Sequence, residues 1–596
     1  MVDSGNREAL HARYRAERDK RLRSEGNDQY LEPVGAFSYL LEDPYSSPFD
    51  REAVRSEVDV VVVGGGFGGL AAGAKLKEAG IEDVVIIEGG GDFGGAWYWN
   101  RYPGAMCDTA AMVYLPFLEE TGHRPSKKYV EAQEIFEHAR RIGHTFGLYE
   151  RALFSTHIKE LRWDEAESRW IVRTDRGDEI HARYVASSTG PLHRPKLPGI
   201  KGIETFGGHS FHTSRWDWTY TGGSPHDPSM ANLVDKRVAI IGTGATAVQC
   251  ISHLGRWARH LTVFQRTPSA IDERNNHEID PVWFDQLRPG WQSEWLRNFA
   301  ILQTGGFTEE DLVKDGWTDI AKRIRDRVVA EVEAGGEFTD ELVSKAFFDS
   351  DDEKMDEIRA RVDRLVKDPA TADALKPWYR QLCKRPCFHD EYLQTYNLPN
   401  VRLFDTDGMG VTAIDETGVW VGDEHVEVDC LIYASGFEVG TGLARRSGFE
   451  TYGRDGISLS SAWADGMRTL HGVHVHGFPN FFLIGFAQAA GLVSNVTHNL
   501  VDGSTTIAAV IAHGLANAAQ SVEVTAQAEQ AWMDLLGSKG RPQFLADCTP
   551  GYYNNEGKTE DQSASFLDGY PGGAVAFFDY IEAWRNCGAF EGLKFR

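Results

Sequence analysis

The sequence predicts an α/β protein built from two Rossmann-like dinucleotide-binding domains, with a helical insertion in the second and an N-terminal extension. Three observations predict it. A glycine loop occurs twice, each copy sits in a strand–turn–helix–strand pattern, and the two copies end in opposite charges. The first reads Val60-Val-Val-Val-Gly64-Gly-Gly66-Phe-Gly-Gly69, the second Val238-Ala-Ile-Ile-Gly242-Thr-Gly244-Ala-Thr-Ala247. Glu88 lies 22 positions beyond Gly66, and Arg266 lies 22 positions beyond Gly244. A carboxylate there accepts hydrogen bonds from ribose hydroxyls, which suits FAD or NAD. A guanidinium there pairs with a ribose 2′-phosphate, which suits NADP. Both in one chain predict hydride transfer from NADPH to a flavin.

The elements follow in order. At 596 residues the chain is too long for one core. Residues 1–30 are rich in Arg, Glu and Lys, with Leu10, Tyr14 and Leu22 at loosely helical spacing, and predict a surface helix. A loop follows through Pro33, Pro44 and Pro48. Residues 58–63 form a continuous apolar run, as a buried parallel strand does. The turn after it leads into a helix carrying Leu70, Ala74 and Leu76, and residues 84–87 return as a strand ending at Glu88. Residues 170–173 and 184–187 read as strands, and Leu197-Pro-Gly as a linker. The second unit spans residues 237–266. The charged stretch 283–376 has apolar residues at helical spacing and predicts an insertion that covers the site. A strand over 426–433, an apolar return over 477–485 and an Ala-rich helix near 505–518 complete the chain. The expected division is 1–55 for the extension, 56–195 with 436–596 for FAD, 196–271 with 372–435 for NADP, and 272–371 for the insertion.

Charge excludes some partners. Asp and Glu outnumber Lys and Arg by 88 to 62, a formal net charge of −26. Nucleic acid and anionic membrane both need a basic face, so neither is an expected general partner. No apolar run spans a bilayer, and the N-terminus is polar and lacks a signal-peptide core. The seven cysteines, Cys107, Cys250, Cys383, Cys387, Cys430, Cys548 and Cys587, are scattered and suit neither a disulfide framework nor a metal set. Cys383 and Cys387 enclose three residues including Pro386, which does not suit a redox pair. A reduced, cytoplasmic chain is expected, as a monomer or weak homo-oligomer.

Three further segments narrow the chemistry. Between the two nucleotide units lies Phe206-Gly-Gly208-His-Ser-Phe-His212-Thr-Ser-Arg-Trp216-Asp217. Its Phe206, Gly208, His212, Trp216 and Asp217 match the fingerprint of the type I Baeyer–Villiger monooxygenases, and the chain is similar to that family from about residue 55 to 590. Flavin monooxygenases that hydroxylate nitrogen or sulfur usually have Tyr or Phe, then Lys, at the Trp216-Asp217 positions. The bland alternative, that His212 and Trp216 pack an interdomain linker, is compatible with a diagnostic role. The second segment, Gly94-Gly-Ala-Trp97-Tyr-Trp-Asn-Arg-Tyr102-Pro-Gly104-Ala-Met-Cys-Asp108, resembles the family's other signature. Glycines let backbone approach a flavin, and the aromatics give it an apolar wall. The third, Leu382-Cys-Lys384-Arg385-Pro386, resembles the Lys-Arg pair these enzymes supply from the NADP side.

The resemblance implies specific roles. Gly64, Gly66, Gly69, Glu88, Ala96, Trp97, Tyr98, Trp99, Met106, Cys107, Asp108, Tyr114 and Val496 would lie around FAD. Thr243, Gly244, Ala245, Thr246, Ala247, Gln249, Arg266, Thr267 and Lys384 would hold NADPH. Arg385 would be the catalytic cation over the flavin, with Asp108 orienting it; no metal is implied. The activity implied is insertion of one oxygen atom from O2 beside a ketone carbonyl through a C4a-peroxyflavin, giving an ester or lactone, with N- or S-hydroxylation as the alternative. Residues 109–116 and 548–555 resemble the longer branch of the family, which takes macrocyclic, polycyclic or terpenoid ketones and suggests secondary metabolism. The chain departs from the cyclohexanone type in two places. It has residues 548–555 where that type has an active-site Trp in Trp-x-x-Gly-Ala-Asn, and Ala434-Ser-Gly436 for Ala-Thr-Gly.

Overall fold

A computed structural model describes residues 4–485, 487–491, 495–538, 543–558 and 568–596. Both glycine loops lie at the ends of parallel strands. In the first unit Arg55–Val63 pairs in parallel with Val84–Ile87 on one side and Glu179–Ser187 on the other. Val60, Val61 and Val62 are fully buried: Val60 and Val62 pack with helix residues such as Leu70 and Ile507, and Val61 packs with Trp163, Trp170 and Phe481. Phe481–Leu483 joins the same sheet beside Glu179–Ser187, so the last quarter of the chain returns to the first unit. The meander Ile158–Asp164, Arg169–Thr174 and Glu179–Ser187 extends it in antiparallel fashion.

The second sheet has five strands, all parallel, in the spatial order Val401–Asp405, His260–Gln265, Arg237–Ile241, Cys430–Tyr433, His209–His212. The run expected as one strand over 426–433 is two. Glu424–Glu427 belongs to a small antiparallel sheet and Cys430–Tyr433 to the parallel one. Between them Asp429 accepts hydrogen bonds from the Arg237 backbone and guanidinium, which turns the chain from one sheet to the next.

The charged stretch is helical, as Trp291–Gln303, Gly316–Glu333, Asp340–Leu365 and Pro369–Leu375. It is bracketed by Ile271–Asp272 and Cys387–Phe388, which pair in parallel. The extension forms the helix Ser4–Asp19, and residues 1–3 lie outside the described ones. This helix is not a free surface element. Tyr14 is 2% exposed, and its hydroxyl accepts from Arg359 of the helix Asp340–Leu365 at 3.2 Å. Leu22 lies beyond the helix and is exposed.

The fully reduced reading of the cysteines is corrected. Cys383 and Cys548 form a disulfide, 165 residues apart in sequence with Cα atoms 5.1 Å apart. Residue spacing cannot report such a pair. It exists because the chain near Cys548 packs on Ala270, Met355, Ile358 and Tyr379, beside Cys383.

Candidate active site

The two glycine loops open onto one cavity of about 1330 Å³. The first loop must be glycine for steric reasons: a Cβ on Gly69 would sit 1.8 Å from the Gly64 carbonyl oxygen. That close packing lets the helix Phe67–Glu78 start directly beneath the turn and aim its free N–H groups at a pyrophosphate. Glu88 is buried at the end of its strand, and its carboxylate accepts from the backbone N–H groups of Gly65 and Gly90. Burial raises its pKa, against the pull of those two donors. Trp97, Trp99, Met106, Cys107 and Tyr114 complete the wall, with Trp97 Nε1 donating to the Tyr114 hydroxyl at 2.8 Å. Burial pushes the Cys107 thiol up to about 11, so it stays neutral. Val496 enters as the first residue of the helix Val496–Ala516, pinned where Asn495 Nδ2 donates to Val113 O at 2.8 Å.

The second loop faces the same cavity. A Cβ on Gly244 would meet nothing within 4 Å, so the space before this loop is open to a ligand. Thr243, Ala245, Thr246, Arg266, Thr267 and Lys384 line it. Gln249, on the helix Ala245–Trp257, crosses to the first unit. Its Nε2 donates to Met106 O at 2.9 Å, and its Oε1 accepts from the Tyr102 hydroxyl at 2.8 Å. Arg385 lies where the two halves meet. Burial opposes its charge, but the nearby Asp108 carboxylate raises its pKa, and it stays cationic. The insertion reaches this point through Trp317, whose Nε1 donates to Asp108 O at 2.9 Å and whose ring lies 5.5 Å from the Arg385 guanidinium.

Some expected residues lie elsewhere. Gly69, Tyr98 and Ala247 do not line the cavity. Gly69 packs on the loop backbone, and Ala247 is fully buried in the core of the second unit. Tyr98 points away to donate to Asp43 of the extension. The fingerprint also stands back. His212 and Trp216 are buried and outside the lining, Trp216 Nε1 donates to Thr221 Oγ1 at 3.2 Å, and Asp217 caps the helix Trp218–Thr221 through Tyr220 N. Phe206 packs in an adjoining cluster, and Gly208 lies where a Cβ would strike the Phe206 ring. Burial holds His212 down at about 3, so it is uncharged. The segment supplies the edge strand His209–His212 of the second sheet and the buried turn after it, with its fingerprint residues set back from the cavity. Asp108 is also placed differently from expectation. Its hydrogen-bonded partner is Arg274, and Arg385 senses it through charge.

Several site residues escaped the sequence reading. Arg274 follows the second unit with no motif around it. Gln29 and Tyr30 of the extension reach Arg266, whose guanidinium donates to Gln29 Oε1 at 2.8 Å and the Tyr30 hydroxyl at 3.3 Å. Lys196, Tyr552, Tyr553 and Glu556 also line the cavity. Only the resemblance of residues 548–555 to a family branch hinted at the last group.

Two cradles on one cavity, one ending in a carboxylate and the other in a guanidinium, define a flavin- and NADP-linked oxidoreductase. The glycine loops, the open space before Gly244 and the cations beyond it fit FAD and NADP. Comparison with known proteins narrows the class. A family described as pyridine nucleotide-disulphide oxidoreductase matches residues 61–299. Neopentalenolactone D synthase of Streptomyces avermitilis is 48% identical over all of both chains. Baeyer-Villiger monooxygenase ATR8 of Stachybotrys chlorohalonatus is 46% identical over 98% of this chain and 94% of its own. The polycyclic ketone monooxygenase of Thermothelomyces thermophila superposes with a TM-score of 0.90 at 36% identity, covering 99% of each chain. A solved OTEMO complex holds FAD and NADP together, with a TM-score of 0.74 at 26% identity over 90% of this chain and 99% of that one.

The chain belongs to the Baeyer–Villiger monooxygenases. It is an FAD-dependent enzyme that consumes NADPH and inserts oxygen from O2 beside a ketone carbonyl, and this reading is supported over the N- or S-hydroxylating alternative. Among the described residues no helix is long and apolar enough to cross a membrane, and no cluster of metal-ligating side chains occurs.

Proposed function

We propose that the substrate is a bulky, fused-ring ketone and the product its lactone. The overall change is ketone, O2, NADPH and a proton to lactone, water and NADP⁺. The observation that carries the substrate class is the full-length similarity to relatives named for neopentalenolactone D and for polycyclic ketones. The cavity of about 1330 Å³ is large enough for ligands of dinucleotide size.

In this reading residues 56–195 with 436–596 hold FAD, 196–271 with 372–435 hold NADP, 272–371 cover the site, and 1–55 wrap the second unit. The parallel strands of each sheet fall within those bounds. Bound FAD, reduced by NADPH, supplies the electrons and activates O2. The chain's own residues do the rest. Arg385 places a permanent cation where negative charge develops on oxygen. Asp108 and Arg274 fix the electrostatic field around it. Gln249 ties the NADP half to Met106, so coenzyme docking is mechanically coupled to the flavin wall. Trp317 and Tyr552 would keep water from the reacting end of the site. The enzyme acts in the cytoplasm as a monomer or weak homo-oligomer, with an acidic surface suited to neither nucleic acid nor membrane.

Mass spectrometry of products from a panel of monocyclic and fused-ring ketones tests this. A gain of one oxygen on fused-ring ketones, at far higher kcat/KM than on cyclohexanone, supports the reading. A preference for small monocyclic ketones overturns it.

A further inference from the structure

One carboxylate in the cavity is out of place for its surroundings. Glu556 is 5% exposed, and its Oε2 makes no hydrogen bond. It lies 3.9 Å from the Arg266 guanidinium and 3.9 Å from the Lys196 ammonium. Lys384 completes the cluster: its ammonium donates to Pro550 O at 3.3 Å and feels the charges of both Arg266 and Glu556. A buried carboxylate with an unsatisfied oxygen is costly, and evolution usually supplies it a partner. Here three cations face one carboxylate without closing on it.

The backbone is bent to put it there. Asn555 and Glu556 both have left-handed φ, at 51° and 54°. Two consecutive non-glycine residues in that region are strained and persist only where their surroundings hold them. The conformation is held from both sides. Asn554 Nδ2 donates to Cys548 O and Thr549 O, Asn27 Nδ2 of the extension donates to Asn555 Oδ1 at 2.7 Å, and Cys548 is bonded to Cys383, next to Lys384. The same loop carries Tyr552 and Tyr553, which line the cavity together with Arg385.

We propose that Glu556 is an internal occupant of the 2′-phosphate site. Its carboxylate balances Arg266, Lys196 and Lys384 in the free enzyme, and the 2′-phosphate of NADPH displaces it. A phosphate dianion outcompetes one carboxylate for three cations, whereas the neutral 2′-hydroxyl of NADH does not. Displacement frees the loop that carries Tyr552 and Tyr553 beside Arg385, so arrival of the correct coenzyme is reported to the reacting end of the cavity. This inference rests on Arg266 being the phosphate clamp.

The test titrates NADP⁺, NAD⁺ and adenosine 2′,5′-bisphosphate into the full-length FAD-loaded enzyme, by quenching of protein fluorescence. Glu556→Gln keeps the shape and removes the charge, and Glu556→Ala serves if Gln perturbs flavin content. The expected result is tighter binding of both 2′-phosphate ligands, about tenfold in Kd, with NAD⁺ within twofold of the unaltered enzyme. Unchanged or weaker NADP⁺ binding in the variants overturns the inference. Arg266→Ala separates the two ideas. Loss of NADP⁺ preference in Arg266→Ala with no gain in Glu556→Gln keeps the clamp and rejects the displacement. Retained NADP⁺ preference in Arg266→Ala rejects the clamp itself.

Discussion

Arg274 holds Asp108: its guanidinium Nη2 donates to the Asp108 carboxylate, with the two side chains 5% and 4% exposed, while Nη1 contacts the Met106 sulfur at 3.0 Å. The pair joins the segment after the second nucleotide unit to the flavin wall. Arg385 shares the field of the same carboxylate without being its hydrogen-bonded partner. Asp108 therefore bears on Arg385 through charge and on Arg274 through a hydrogen bond.

Breaking that pair leaves the buried Asp108 carboxylate without its hydrogen-bonded partner, with only the nearby Arg385 charge to offset it. Arg274→Ala should destabilise the enzyme by about 3–5 kcal/mol, and adding Asp108→Asn should restore much of the loss. Denaturant unfolding of the two single variants and the double variant measures the coupling. Strictly additive effects would show that the ion pair is not the source of the loss.

Lys384 should make coenzyme binding sensitive to pH. Burial, then the neighbouring Arg266 charge, pushes its ammonium down to about 8. With the protonated form as the proposed partner of the 2′-phosphate, affinity for NADPH should be full below that pH and fall as pH rises through it. KM for NADPH should climb by up to about tenfold per pH unit above 8, the limit for one proton taken up on binding. KM for NADH should not follow. Lys384→Arg should flatten the profile, since Arg stays protonated. An NADH profile with the same inflection would point to another group.

The two glycine loops should respond differently to one methyl group. A Cβ at Gly69 lies 1.8 Å from the Gly64 carbonyl oxygen, whereas one at Gly244 meets no protein atom within 4 Å. Gly69→Ala should purify without yellow flavin, because the turn itself cannot form. Gly244→Ala should fold and keep FAD, yet lose on the order of tenfold in NADP⁺ affinity, about 1.4 kcal/mol, because the methyl enters the ligand's space. Flavin absorbance and NADP⁺ titration of each variant check both outcomes.

Much of this was legible in the sequence, for identifiable reasons. The strands at residues 58–63 and 237–241 are local: their apolar runs, glycine turns and terminal charges all lie within one βαβ unit, so spacing alone reports them. Arg385 was legible only through its company with Lys384 and the two aromatic signatures. Arg274, Glu556 and the Cys383–Cys548 pair were not legible, since each acquires meaning from a contact across more than a hundred residues. Arg274 and Asp108 are ordinary charged residues until the two units close on each other. The run at 426–433 misled because apolar pattern carries no information about which sheet a strand joins, and Asp429 decides that through Arg237. The extension looked like surface because its polar composition hides the one face, at Tyr14, that packs on the insertion.

One variant directly addresses the proposal that Arg385 brings a cation from the NADP half to the place where oxygen reacts. Stopped-flow absorbance of Arg385→Ala, followed by product analysis with a fused-ring ketone, separates flavin reduction from oxygen insertion. Reduction by NADPH within a few-fold of the unaltered enzyme, with lactone formation down on the order of 100-fold or more, is the predicted result. Lactone formed at the normal rate would contradict it.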